Sequence, residues 1–489
     1  MLIVVLIAFV VALTLVQSGV AEYLAQPSWW TPAAFAAYVL VAAVLAAVNT
    51  SAAVRSARQD DEGLPSRRRG GVLLAALEQV WLIAGLGGLL YAGYGQWVLA
   101  GIRIGEVPLG RLPLLSKLLA LLPFVAALAV VWLIDYRLHR AVRLRVARRE
   151  QAAGRPAHGP WTRREYLAYN FRHHLLFVAA PVLLILLAKD LLSLYAYPAL
   201  VASPAVGRYA DALLLGAIVL VAGGVFLAAP LMLVRIWRTE PMPDGPLRRE
   251  LDVVMRRLNL RCRDILVWKS GSSIANAGVM GLLGRFRYVL LSDLLLENAD
   301  PREIKAIFAH EAGHIAHHHI LYAAIFAFAS VGLCGAAGEV LSLCLGPYLG
   351  EHASWLGELS TLVLLALAWW LGFGFISRRF ERQSDVVGAW LAGSDYAAAP
   401  GPLGTAITPE GALTFAQALE RVAVLNGFSP KQNNWRHGSI ASRVQYLLDL
   451  ARRGQTRREI DLLVRRIKRM LWVLLAAGVA ATAVFWQLE

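Results

Sequence analysis

Apolar residues run in long unbroken blocks along this chain and do not alternate with polar ones at a helical or strand period. Blocks near 2–20, 33–48, 72–93, 114–134, 174–192, 211–233, 320–345, 359–376 and 470–487 come close to or reach the 17–25 residues that a helix needs to cross hydrocarbon. Nine membrane spans are therefore expected. The first block has no basic flank and no cleavage site, so it reads as a span and not as a signal peptide. Two stretches break the pattern, 234–319 and 377–469. In the first, mixed polar and apolar positions predict a helix from Leu247 to Leu258, then a strand in "DILVWKS". A Gly/Ser turn, "IANAGVMG" and a strand in "FRYVLLS" follow, and then more helices. Asp300 as N-cap, Pro301 at the first helical position and Glu303 two residues on form a capping box, so a helix is expected through "PREIKAIFAHEAGH". Residues 394–411, rich in Gly, Pro and Ala, read as a loop.

Composition agrees with lipid burial. The chain is 58% hydrophobic and 17% charged, with mean hydropathy +0.54, which excludes an ordinary water-soluble protein of this length. The net charge of +15 does not signal nucleic acid, because the arginines sit between the apolar blocks. The connections 51–71 and 135–172 are rich in Arg, whereas 21–32 and 346–358 have neither Lys nor Arg, and 95–113 and 193–210 have few. This alternation places 234–319 and 377–469 in the cytoplasm and the C-terminus outside. The basic run 135–149 reads as a helix facing water or lipid headgroups. Cys262, Cys334 and Cys344 form no CxxC pattern and read as packing residues. Glu78, Gln79, Lys189, Asp190 and Glu339 fall inside apolar blocks, where charge is costly; paired contacts are one reading, and a hydrated chamber inside the bundle is the expectation. Glu78 shows no local partner in the sequence.

The chemistry is concentrated in "KAIFAHEAGHIAHHHI". Residues four apart share a helix face, so His310 and His314 can grip one metal ion, while Glu311, about 100° round, reaches a water on it. This is the HExxH arrangement of zinc hydrolases, which take a third protein ligand and leave one position open. His317, His318 and His319 cannot close that site from the same helix and read as an interfacial polar collar. The third ligand is sought in "SRRFERQSDVVGAW", which the hairpin of the seventh and eighth blocks returns to the same membrane face. At 1.5 Å per residue, His314 and Glu381 both lie within about 10 Å of that face. Glu381 is thus the expected ligand, and Asp385, one turn on, the acceptor for a ligand histidine N–H.

The sequence resembles the integral-membrane zinc metalloproteases that include the type 1 CAAX prenyl protease and the bacterial heat-shock membrane protease. The resemblance runs through "SSIANAGVMGLLGRFRYVLLSDLLL", "DPREIKAIFAHEAGHIAHHH", "SRRFERQSD" and "RHGSIASRVQYL", over roughly residues 247–450. It implies one zinc ion per chain on His310, His314 and Glu381, with Glu311 as general base and Asp385 in support. It also implies that Asn276 and Ala277 form a strand edge pairing with substrate backbone, and that His437 and Arg443 polarise or order the site. Two positions depart from the family pattern: Ser384 stands where Ala is usual, and Gly438 where Pro often follows the late histidine. Six spans before the catalytic part resemble the CAAX-protease branch more than the heat-shock branch; the terminal span fits neither.

The expected fold is mainly α, a polytopic helical membrane protein with a cytoplasmic α+β zincin-like catalytic part. Its expected parts are a six-span bundle (1–233), the HExxH part (234–319), a two-span hairpin (320–376), a second catalytic part (377–469) and a C-terminal span (470–489). The expected function is a zinc metalloendopeptidase of the cell (inner) membrane, active on its cytoplasmic side. Its partners would be the bilayer and peptide or protein substrates, membrane-associated or misfolded, and no nucleic acid. A non-enzymatic membrane protein with a structural zinc, and a site-2-type intramembrane protease, are the alternatives.

Overall fold

Long helices replace the apolar blocks. In the computed structural model, the residues described are 26–59, 69–101, 103–104, 107–108, 112, 114–350, 352–393, 407–454 and 458–488, with Val5 and Ala8 besides. Among them, eight helices are long and apolar enough to cross a membrane: Thr31–Arg55, Leu73–Tyr94, Leu115–Ala152, Arg163–Val201, Gly207–Ile236, His319–Leu349, His352–Ala392 and Glu459–Val484. They correspond to blocks two to nine. The first block, apart from Val5 and Ala8, and most of the expected 394–411 loop lie outside the described residues. Helices outrun their apolar blocks because backbone hydrogen bonding does not stop at a bilayer surface. The basic run 135–149 thus continues the helix Leu115–Ala152 that contains the fourth block.

The chain divides into two compact units, Met1–Thr239 with Lys269–Ser273, and Glu240–Trp268 with Ile274–Glu489. In the first, the core is formed by Tyr38, Ala42, Leu82, Leu86, Leu90, Phe124, Leu128 and Trp132. Tyr38 Oη donates to Leu82 O (2.8 Å) and Trp81 Nε1 to Tyr38 O (3.0 Å), which satisfies both aromatic polar tips inside the bundle. Two acidic groups in its apolar helices, Glu78 and Asp190, find partners on neighbouring helices. Asn49 Nδ2 donates to Glu78 Oε2 (3.0 Å), so the partner that the local sequence lacks comes from the neighbouring helix. Leu77 and Val80, which flank this turn, are 46% and 60% exposed and face outward. Asp190 accepts from the Leu114 N–H (2.9 Å) and pairs with the Lys117 ammonium, compensating a helix start with negative charge.

The second unit contains a four-stranded sheet of β1 (Thr239–Pro241), β2 (Asp264–Trp268), β3 (Ala277–Met280) and β4 (Tyr288–Ser292) in the order β1-β2-β4-β3. β2 and β4 are parallel, with Asp264 opposite Tyr288 and Trp268 opposite Ser292. Both are nearly continuous apolar runs and are buried, as parallel strands covered on both faces require. β3 pairs antiparallel with β4, Ala277 opposite Leu291, and forms the sheet's edge. The helices are α1 (Pro246–Arg257), α2 (Asp293–Asn298), α3 (Pro301–Ala316), α4 (His319–Leu349), α5 (His352–Leu367), α6 (Gly374–Ala392), α7 (Pro409–Asn426), α8 (Ile440–Arg452) and α9 (Arg458–Leu488). α3 begins as the sequence predicts: Asp300 accepts from the Arg302 N–H, and Glu303 Oε2 accepts from the Asp300 N–H (2.9 Å).

Two glycines set how closely α3 and α6 cross. A Cβ on Gly313 would stand 3.2 Å from Ser384 Cα, and one on Gly388 would stand 3.0 Å from Ala306 O. This contact brings the polar face of α6 against the HExxH face of α3. Phe308, Val387, Phe415 and Leu447 fill the core around it.

Candidate metal centre

Three polar side chains converge where α3 and α6 cross. His310 and His314 lie one turn apart on α3, with their Nε2 atoms 3.2 Å from each other. Glu381, on α6, places Oε2 at 3.6 Å from His310 Nε2 and Oε1 at 3.7 Å from His314 Nε2. Among the described residues, these three form a group able to hold a metal ion. Their spacing tests the fit. Donors about 2.0–2.2 Å from a tetrahedral zinc stand roughly 3.3–3.6 Å from one another. The separations of 3.2, 3.6 and 3.7 Å, the last two to different oxygens of Glu381, lie close to that range, so the donor set fits zinc.

A further layer holds these donors. His310 Nδ1 lies 3.0 Å from Asp385 Oδ1, which turns Nε2 toward His314 and Glu381. Asp385, fully buried, receives Arg443 Nε at 2.9 Å and Nη2 at 2.5 Å. Arg443 Nη1 also lies 3.2 Å from Glu381 Oε2, so one guanidinium faces two buried carboxylates. Arg443, for which the resemblance implied an ordering role, thus lies against both carboxylates.

His437 reaches the group from a tight turn. Asn434 and Gly438 exchange backbone hydrogen bonds (3.1 and 2.8 Å), and Asn434 Oδ1 accepts from the Arg436 and His437 N–H groups (2.9 and 3.4 Å). Gly438 has φ +74°, which proline cannot adopt; this explains glycine after the late histidine. Arg378 Nη1 pins the turn by donating to Trp435 O (2.6 Å). His437 Nδ1 then meets Glu381 Oε1 at 2.8 Å, with its ring 41% exposed.

Burial and the neighbouring charges together set the protonation states. It pushes the His314 imidazole down to about 3, with Glu381 only partly opposing, so at neutral pH its nitrogen lone pair is free. Burial acts to lower His310 too, but the hydrogen bond and charge of Asp385, with the charge of Glu381, outweigh it and the net direction is up. Burial raises Glu311, partly offset by His310. For Arg443, burial is outweighed by Asp385 and Glu381, which hold it charged.

Glu311 lines a cleft of about 540 Å³ with His310, His314, Glu381 and His437. Asn276 and Ala277 line the same cleft, at the open edge of β3. Ser292 grips the Asn276 backbone, its Oγ accepting from the Asn276 N–H and its N–H donating to Asn276 O (both 2.9 Å). Asn426 binds Ala275 like a short strand, accepting from its N–H (3.1 Å) and donating to its carbonyl (2.7 Å). Ile307, Phe415, Leu419 and Val422 add apolar lining to the cleft.

The structure corrects the reading of the histidine run. Helix α3 stops at Ala316, His318 adopts φ +54°, and His319 folds back to within 2.9 Å of His314. His319 is 3% exposed and is no part of an interfacial collar. Ser384, the other departure, is fully buried against Gly313, where only a small side chain fits.

The family model for peptidase family M48 matches residues 241–429, the stretch that holds the HExxH helix, Glu381 and Asp385. The resemblance read from the motifs is thus to an M48 peptidase region within a helical membrane protein. No curated protein matches the chain. Among solved structures, that of S. mikatae Ste24p is similar at a TM-score of 0.49, with 15% identity, over 86% of this chain and 100% of that one.

Proposed function

We propose that this M48 region works as a membrane-embedded zinc metalloendopeptidase with one zinc ion held by His310, His314 and Glu381. The observation that carries the reading is the convergence of His310 Nε2, His314 Nε2 and the Glu381 carboxylate, at separations of 3.2, 3.6 and 3.7 Å, on a cleft lined by Glu311. When bound, zinc would supply a Lewis acid that brings the pKa of a water toward 7 and draws charge from a peptide carbonyl.

The chain's own residues do the rest. Glu311 takes the proton of the attacking water and returns it to the departing amine nitrogen. Its burial favours the neutral form, which makes it an acid able to give the proton back. His437, with Nδ1 engaged by Glu381, offers its exposed ring to the oxyanion that develops on the carbonyl. Asp385 and Arg443 keep His310 and Glu381 in place. A substrate enters extended and adds as a strand to β3 at Asn276 and Ala277. The hairpin of α4 and α5 returns the chain so that Glu381 can complete the site. A structural zinc would be closed by a fourth protein donor, whereas this donor set faces an open cleft.

The substrates are peptide bonds of membrane-associated or misfolded membrane proteins, met on the cytoplasmic face of the cell membrane. Eight apolar helices and the Arg-rich connections 51–71 and 135–172 support that placement. The test is cleavage of an unfolded polypeptide by the protein in lipid nanodiscs. Chelation should abolish cleavage and stoichiometric zinc restore it. Cleavage that survives chelation, or a protein that binds no zinc, would overturn the reading.

A further inference from the structure

We propose that His319 is a positioning residue that fixes the tautomer and ring orientation of His314 through a hydrogen-bond chain ending on Asp461. The proposal rests on the zinc reading of the site above. His319 Nδ1 lies 2.9 Å from His314 Nδ1, His319 Nε2 lies 2.9 Å from Gln383 Oε1, and Gln383 Nε2 lies 2.6 Å from Asp461 Oδ1. His319 and Gln383 are each 3% exposed, so water does not compete for these bonds. Phe380 stacks on the His319 ring, centroids 4.1 Å apart and planes 4° from parallel, which fixes its rotation.

A continuous helix could not build this. Five residues along, a side chain points about 140° away from its starting direction. The left-handed backbone at His318 (φ +54°) ends one helix and starts the next, bringing His319 back beside His314. The Lys468 ammonium donates to His317 O (2.6 Å) and holds that break.

The proton positions follow from the far end of the chain. The Asp461 carboxylate only accepts, so Gln383 must turn its NH₂ toward it and its Oε1 toward His319. His319 must then carry its proton on Nε2 to donate to that oxygen, which leaves His319 Nδ1 as an acceptor. His314 therefore carries its proton on Nδ1, and its Nε2 lone pair is free toward His310 and Glu381. The reverse order fails at two points. It would put two acceptors face to face at Gln383 and a proton on the His314 nitrogen that the metal needs. His310 is thus oriented by a carboxylate directly, and His314 by a carboxylate acting through an amide and a second imidazole.

The experiment measures the zinc dissociation constant by chelator competition, and the melting temperature of the zinc-free protein. It compares wild type with His319→Ala, His319→Asn and Gln383→Leu. Losing such a partner weakens metal binding about 10–100-fold, and that is expected for His319→Ala and Gln383→Leu. In His319→Asn the amide oxygen can take the place of Nδ1 as acceptor, so most of the affinity should return. Gln383→Leu keeps the test open should His319→Ala fail to fold. Affinity unchanged in both His319→Ala and Gln383→Leu overturns the proposal. So does a His319→Asn variant as weak as His319→Ala, because a merely structural role gives no rescue. A wild type that binds no zinc would instead remove the reading on which the proposal rests.

Discussion

Replacing Arg443 by leucine takes the only guanidinium in contact with both Asp385 and Glu381 among the described residues from between two buried carboxylates. Asp385 would keep His310 Nδ1 at 3.0 Å and Glu381 would keep His437 Nδ1 at 2.8 Å, but the bonds at 2.5, 2.9 and 3.2 Å would go. Breaking a buried pair from one side costs about 3–5 kcal/mol, because an uncompensated charge is left behind. The two remaining imidazoles place Arg443→Leu at the lower end, about 3 kcal/mol. For a unit of this size each kcal/mol moves the melting temperature by about 2–4 °C, so the zinc-free protein should melt roughly 6–12 °C lower. With zinc bound, the loss should be smaller, since the ion itself compensates Glu381. The assay is melting in detergent, with and without zinc, for wild type, Arg443→Leu and Arg443→Leu/Asp385→Asn. The double variant should melt above the single one, because the stranded carboxylate is gone. A shift for Arg443→Leu under about 3 °C, or a double variant no better than the single, refutes the reasoning.

Glu381→Ala should weaken zinc binding far more than Asp385→Ala, whose loss should stay within about 10–100-fold; equal losses in a chelator titration would remove Glu381 as a ligand. Glu311 must be ionised to act as base, so kcat/KM should fall as pH drops through its folded-state pKa. Burial raises that pKa, so the acid limb should lie above the ordinary glutamate value near 4.3; a limb at or below it would contradict the buried environment. In the α4–α5 hairpin, a Cβ on Gly338 would stand 2.5 Å from Gly357 O, whereas Gly335 has open space around it. Gly338→Ala should cost about 1–3 kcal/mol in melting experiments and Gly335→Ala should not; equal effects would mean the close approach is not tight.

The features legible in the sequence were those written locally. The capping box at Asp300 and the i, i+4 spacing of His310 and His314 depend on neighbours in the chain, and both stand as read. Eight apolar blocks became helices because length and composition suffice for a span. Glu381 could be reached only by adding a topological step, the hairpin that returns the chain. What stayed hidden depends on distant partners or on one backbone angle. Asn49 for Glu78 and Lys117 for Asp190 come from other helices. Nothing in three consecutive histidines announces that the middle one turns left-handed, and that single angle separates a polar collar from a buried partner of His314. The strand-like grip of Asn426 on Ala275 lies 151 residues away and carries no motif.

The central claim is that His310, His314 and Glu381 hold a zinc ion at which Glu311 acts as base without being a ligand. Glu311→Gln separates the two roles with almost no change in shape. Zinc content and hydrolysis of an unfolded polypeptide should be measured side by side for this variant and wild type in the same lipid. The account predicts one zinc per chain in both and cleavage only in wild type. Zinc lost from Glu311→Gln, or cleavage at the wild-type rate with zinc retained, would contradict it.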